Sequence, residues 1–401
     1  MTQHAVTRPI DQCPACGDSN LTPFYAKDGV ASHSCLLMDD EAEALTFPKG
    51  DLRIVFCQNC AFVFNTHYNG SLAAYSARYE ETQAFSPLFR DFARDLAKRW
   101  VEKYNLHDSS VLELGCGKGE FLVNMIEEGA GSGIGIDPGV HPERIDPALE
   151  SRITWIADYY GPKYSHLKAD AVVCRHTMEH ISPVGDWMRD IRAAIGDQPD
   201  TVVLFELPDV LRILEEAAYW DVYYEHCSYF SAGSLARLFR ATGFEVLEIT
   251  REYDDQYLVI EARPTATPAP GEPLAIEDDL DRLRASLEPF EQSVAASLAT
   301  WADEIRTVRA RGGRVAIWGS GSKGVSFFAG LGETARSVDY AVDINPYKHG
   351  KFMAGSGHRI VAPEQLAADR PELVIVMNPI YLTEIGELLQ SLGVRTDLRA
   401  V

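Results

Sequence analysis

The sequence predicts an α/β chain of three parts: a central Rossmann-like parallel sheet, a small cysteine-paired head before it, and a second Rossmann-like unit after it. Three observations carry this. Val111-Leu-Glu-Leu-Gly-Cys-Gly-Lys-Gly119 alternates apolar residues around Glu113, then sets a glycine at every second position ahead of a helical run. Cys13-Pro-Ala-Cys16 and Cys57-Gln-Asn-Cys60 are two CxxC pairs separated by 40 residues. Arg314-Val-Ala-Ile-Trp-Gly-Ser-Gly-Ser-Lys-Gly324 is a second strand, glycine turn and helix start. Each is a local pattern with a mechanical reason: glycine admits φ > 0 and close ligand approach, and paired thiolates gather a metal.

Length and charge bound the rest. The chain has 401 residues, 46% of them apolar, enough for two or three domains with real cores. A net charge of −22 repels phosphate backbones and anionic lipid, so neither nucleic acid nor membrane is expected as a partner. No apolar run reaches membrane-span length, and the N-terminus lacks a signal-peptide core, so a cytoplasmic protein is expected. Eight cysteines in so long a chain do not make a disulfide scaffold.

In chain order, residues 1–75 read as a zinc-binding domain. Cys13, Cys16, Cys57 and Cys60 give a closed tetrahedral sulfur site, hence a structural Zn²⁺, with a hairpin flanking the second pair. Redox CxxC pairs are the competing reading. His33 and Cys35, between the pairs, read as ordinary loop residues. Tyr68, Tyr75 and Tyr79 crowd the entry to the next domain, where packing competes with chemistry. Phe89, Phe92, Leu96 and Trp100 then recur at helical spacing.

Residues 76–263 read as repeated strand–helix units. The strand at 111–114 leads into Gly115 and Gly117, and the strand at 133–137 ends on Asp137, 20 residues after Gly117, where a ribose hydroxyl pair sits in a nucleotide fold. Glu113, two residues before the first glycine, would repel a pyrophosphate but suits the cationic methionine moiety of S-adenosylmethionine (SAM). Asp158, ending the third strand, either meets an adenine amine or faces solvent. Further strands at 169–174 and 201–206 precede a closing antiparallel hairpin at 244–250 and 256–262, the layout of class I methyltransferases. Two segments after strand ends carry the polar chemistry: Arg175-His-Thr-Met-Glu-His180 and Trp220-Asp-Val-Tyr-Tyr-Glu-His-Cys-Ser-Tyr-Phe230. The second holds five aromatics, two acids and a histidine in eleven residues, which is what an enclosed acid–base site needs. An interface loop is the alternative.

Residues 264–273 read as a proline-rich linker. Leu280, Leu283, Leu287, Val294, Leu298, Trp301 and Ile305 form a helical stripe, interrupted near Pro289, for its own domain or a partner helix. Residues 274–401 read as the second Rossmann-like domain, with Gly319, Gly321 and Gly324 as GxGxxG and Asp343 22 residues beyond Gly321. Lys348 and Lys351 add cations, and no hydride-transfer set accompanies them, so the unit reads as an anion-holding lobe.

These motifs together resemble the zinc-containing, SAM-dependent C-methyltransferases of bacterial deoxysugar biosynthesis. The resemblance spans essentially the whole chain. It rests on the CxxC…CxxC head, residues 111–119, Glu179-His180-Ile181, Tyr223-x-Glu225-His226-x-Ser228-Tyr-Phe, and residues 319–324 with Asp343-x-Asn-Pro-x-Lys348. It implies methylation of carbon three of a 4-keto nucleotide-linked sugar. His226 would be the base, with Glu225, Tyr223 and His180 around the sugar and Tyr79 lining the pocket. The C-terminal lobe would close the cleft and contact the nucleotide. The chain departs from the family at Phe85 and in the basic run Cys-Arg-His-Thr-Met before Glu179. A non-sugar small molecule is therefore the alternative acceptor. A NAD-linked oxidoreductase using the second glycine turn, and a zinc-headed SAM-binding regulator, are the other classes. The sequence leaves the oligomeric state open.

Overall fold

The computed structural model describes residues 9–73, 75, 78–265 and 271–401. The N-terminal residues read for a signal core, and residues 266–270 of the expected linker, lie outside the described residues. The head comprises β1 (Leu21–Ala31), α1 (Glu41–Leu45), β2 (Lys49–Cys57) and β3 (Val63–Asn65). The central unit runs α2 (Pro87–Lys103), β4 (Ser110–Leu114), α3 (Glu120–Glu127), β5 (Ser132–Ile136), β6 (Ile153–Ile156), β7 (Ala171–Arg175), α4 (Val184–Ile195) and β8 (Val202–Pro208). It continues with α5 (Val210–Glu215), β9 (Ser228–Tyr229), α6 (Ala232–Ala241), β10 (Phe244–Glu252) and β11 (Tyr257–Pro264). The last unit holds α7 (Leu280–Ala310), β12 (Val315–Trp318), α8 (Ser322–Leu331), β13 (Tyr340–Val342), β14 (Ile360–Val361), α9 (Gln365–Asp369), β15 (Leu373–Val376), α10 (Leu382–Ser391) and β16 (Asp397–Ala400).

The central sheet has the order β10-β11-β8-β7-β4-β5-β6. All its pairs are parallel except those of β11, which runs antiparallel to both neighbours. This is the class I SAM-methyltransferase arrangement, a Rossmann-like sheet closed by a reversed hairpin. Alternation along the strands explains the layers. Val111, Val173 and Leu204 face one side and pack with Leu96, Trp100, Phe121 and Met125 of α2 and α3. Leu112, Cys174 and Phe205 face the other and pack with Met188, Ile191, Leu235 and Phe239 of α4 and α6. Ser86 starts α2 by accepting the Phe89 amide, with Pro87 at the first helical position.

The last sheet is parallel throughout, β14-β13-β12-β15-β16. The head sheet is antiparallel and takes its fourth strand, β9, from the central unit, pairing Val63 with Tyr229 and Phe64 with Ser228. The stripe expected to break near Pro289 does not: α7 passes through that proline as one 31-residue helix. Phe290 supplies the missing member between Leu287 and Val294, and its ring meets Phe24 and Tyr25 of the head edge-on. The helix therefore packs within its own chain, against β1, α5 and α8. Among the described residues, no helix is long and apolar enough to cross a membrane.

Candidate active site

A cavity of about 800 Å³ lies at the carboxyl ends of the central strands, between them, the head and the last unit. Its floor is the glycine turn after β4. Gly115, Gly117 and Gly119 have φ of 69°, 52° and 88°. A Cβ on Gly115 would stand 2.1 Å from Thr177 Oγ1, so the close approach needs glycine as much as the dihedral does. Asp137 ends β5 and accepts the amides of Gly117 (3.1 Å) and Gly139 (2.6 Å). Glu113 is 2% exposed, and its Oε2 has no hydrogen-bond partner in the chain. Burial pushes its pKa up to about 8, against the pull of Arg175. Lys118, buried beneath the turn, donates to the carbonyls of Tyr79 (2.6 Å) and Gly139 (3.0 Å). Asp158 lines the cavity, but its Oδ2 accepts from Lys163 and from the Tyr164 hydroxyl (2.6 Å). That engagement competes with an adenine amine.

Opposite the turn stand His180, Tyr223 and His226, with Tyr79 and Tyr75 beside them. His226 is 4% exposed; its ring lies 4.0 Å from that of Tyr223 and 4.6 Å from that of His180. Burial, then the neighbouring His180, His176 and Lys323, hold its pKa well below the usual range, so it is a neutral imidazole whose Nδ1 has no partner in the chain. Its Nε2 stands 3.9 Å from Glu179 Oε1. His180 Nδ1 is 3.0 Å from the Glu225 carbonyl and 2.6 Å from the Tyr75 hydroxyl. A carbonyl only accepts, so Nδ1 carries the proton and neutral His180 offers Nε2 as an acceptor. Burial raises the Tyr223 pKa well above 10, which keeps its hydroxyl a donor.

Glu225 does not line the cavity. Its Oε1 turns into the head and accepts the Ser34 amide (2.9 Å) and the Ser34 hydroxyl. The carboxylate beside His226 is Glu179 instead. The expectation that His33 and Cys35 are ordinary loop residues is also overturned. His33 is fully buried, its ring 4.8 Å from that of Tyr75 and 5.0 Å from that of Tyr79. Cys35 lines the cavity, and the Ser322 hydroxyl, 2.7 Å from Ser34 Oγ, ties the segment to the last unit. The uncharged run Ser32-His-Ser-Cys35 between two strands was the signal that could have revealed it.

The second glycine turn opens onto the same cavity. Asp343, the residue a dinucleotide ribose would need, is already taken: it accepts Ser320 N (3.1 Å), Ser320 Oγ (2.6 Å), Asn345 N (2.9 Å) and Lys348 Nζ (3.1 Å). The last unit is locked to the central one by the reciprocal Gln256–Asn378 amides (3.1 and 2.9 Å) and by Tyr253 donating to Tyr381 (2.7 Å). In the head, Cys13–Cys60 and Cys16–Cys57 sulfurs are 3.6 Å apart, and all four lie within 4.8 Å of one another. Sulfurs about 2.3 Å from a tetrahedral zinc are about 3.8 Å from each other, so the set is compatible with that ion.

Residues 83–249 match the family model described as a methyltransferase domain, and residues 271–395 match the one described as the C-methyltransferase C-terminal domain. The chain is 27% identical over 395 residues to the C-methyltransferase NovU of Streptomyces niveus, covering 95% of this chain and 92% of that protein. Among solved structures, it is similar to the Burkholderia thailandensis 1,6-didemethyltoxoflavin-N1-methyltransferase, at 20% identity and a TM-score of 0.35 over 45% of this chain and 81% of that one. Another is the PH0226 protein of Pyrococcus horikoshii, at 14% identity and a TM-score of 0.37 over 48% of this chain and all of that one.

Proposed function

Because the chain is a SAM-dependent methyltransferase, we propose that it methylates the carbon next to the ketone of a nucleotide-linked keto sugar, with His226 as the base. The observation that carries this is a buried, neutral His226 facing the same cavity as the glycine turn. A ketone acidifies its α-proton enough for imidazole, and Tyr223, held protonated, is a donor for the enediolate oxygen. Glu179 stands where it offsets the imidazolium that forms. His180 Nε2 accepts from a sugar hydroxyl rather than feeding the oxyanion. The carbanion then attacks the SAM methyl, which needs alignment and no protein nucleophile.

Glu113, Gly115, Gly117, Asp137 and Asp158 form the cofactor side in this reading, with Tyr79 lining the acceptor side. Residues 76–263 would then do the chemistry, 274–401 would close over the nucleotide, and 1–75 would carry a structural zinc on Cys13, Cys16, Cys57 and Cys60. The relative named as a C-methyltransferase, matched nearly end to end, supports carbon as the acceptor atom. The test uses SAM carrying a deuterated methyl group and a nucleoside-diphosphate 4-keto-6-deoxyhexose. A product whose CD3 is bonded to carbon by NMR is expected. A methyl on oxygen or nitrogen, or failure to bind SAM by calorimetry, would refute the reading.

A further inference from the structure

The basic run before Glu179 contains a residue that the scheme above leaves idle. His176 follows β7 with φ of 48°, a left-handed conformation that a histidine takes only when its surroundings hold it there. In that conformation its ring packs edge-on against Tyr257 of β11, 4.5 Å between centroids. Its Nε2 is 2.7 Å from Glu206 Oε1 on β8, and its Nδ1 is 3.8 Å from Glu179 Oε1. That same Glu179 oxygen is the one 3.9 Å from His226 Nε2. Glu206 is itself clamped by Arg175 through two bonds, at 2.9 and 3.0 Å. Glu179 is 2% exposed, and neither of its oxygens has a hydrogen-bond partner in the chain.

We propose that His176 is a positioning residue of this site: as an imidazolium paired with Glu206, it holds Glu179 directed at His226. Glu179, rather than Glu225, is then the carboxylate that receives the positive charge of the protonated base. The inference rests on the reading of His226 as that base. The groups facing each partner are consistent with it. His226 meets Glu179 and His180 from the turn after β7, Tyr223 and Tyr229 from its own segment, Lys323 from α8, and His176. His176 meets Glu206, Glu179 and Tyr257. Burial works to discharge His176, but Glu206 and Glu179 outweigh it and carry its pKa up to about 9.

The test uses the full chain with His176→Asn, since asparagine tolerates the left-handed backbone, and His176→Gln as a second variant. In ¹⁵N-histidine spectra without substrate, the signal lost in both variants should show two protonated ring nitrogens at pH 7.5. In the second arm, α-proton exchange of a nucleoside-diphosphate 4-keto-6-deoxyhexose is followed against pH in deuterated buffer. Without His176, Glu179 no longer faces His226 and the imidazolium loses its counter-charge, so the acid limb should move down by about one pH unit while the plateau rate falls. Retained SAM binding reports an intact fold. A neutral His176 at pH 7.5 overturns the proposal. So does an acid limb that stays in place, including a uniform loss at every pH, which marks a merely structural histidine. Should His226→Ala exchange like the parent, the base assignment fails on its own, while the charge state of His176 still stands or falls by the spectra.

Discussion

Glu113 and Glu225 are both buried acids at the ends of short motifs, and they do different work because different groups face them. Glu113 looks into the cavity with one oxygen unpartnered, and burial lifts it to about 8. If it meets the cationic end of SAM, binding requires its ionised form. Affinity should then fall as pH drops below about 8, by up to about tenfold per unit, and level off above it. Calorimetry from pH 6 to 9 checks this. Glu113→Gln should flatten the profile and weaken binding by about 1.5–3 kcal/mol, the worth of a charged hydrogen bond. Glu225 is lifted to about 7 by burial and spends its Oε1 on Ser34. Ser34→Ala should therefore lower kcat by about tenfold, some 1.4 kcal/mol, with the SAM Kd unchanged, which steady-state kinetics and calorimetry separate. At this scale the sequence identified the residue types but not their partners. Glu225 and His226 are chain neighbours whose side chains point to different places, and Ser34 and Glu179 reach them from 191 and 47 residues away. Nothing local in a single sequence encodes that.

Elements were more legible than partners, for a physical reason. The strands β4, β7 and β8 are buried on both faces and read as apolar runs, while α2 and α7 carry stripes at helical spacing. β1 was not legible: Pro23 and Gly29 sit inside it, and two register shifts against β2 break its alternation. The long helix misled only at Pro289. A proline there forfeits one backbone bond at a cost of ~3 kcal/mol, which the burial of Leu287, Phe290 and Val294 offsets. Phe290→Ala should thus destabilise by about 3–5 kcal/mol in denaturant unfolding. Pro289→Ala should raise the unfolding midpoint, its restored hydrogen bond exceeding the ~0.4–1 kcal/mol lost through a freer unfolded chain.

Across the whole molecule, residues 220–230 are held by the head and the last unit at once. β9, just after His226, is a strand of the head sheet; Glu225 is tied to Ser34; and Lys323 of the last unit pairs with Asp221, two residues before Tyr223. The four head cysteines line no part of the cavity, yet they brace the sheet that β9 joins. Metal analysis should find one zinc per chain. Cys57→Ser should reduce methyl transfer while leaving SAM binding largely in place, a split that a direct catalytic role would not require. If His226 removes the α-proton, its loss must stop exchange before any methyl is transferred. The direct measurement is deuterium incorporation at the substrate α-carbon, with SAM affinity determined in parallel, for the parent chain and His226→Ala. The variant should bind SAM as the parent does and lose exchange by at least about a hundredfold. Exchange at the parent rate in His226→Ala would contradict it.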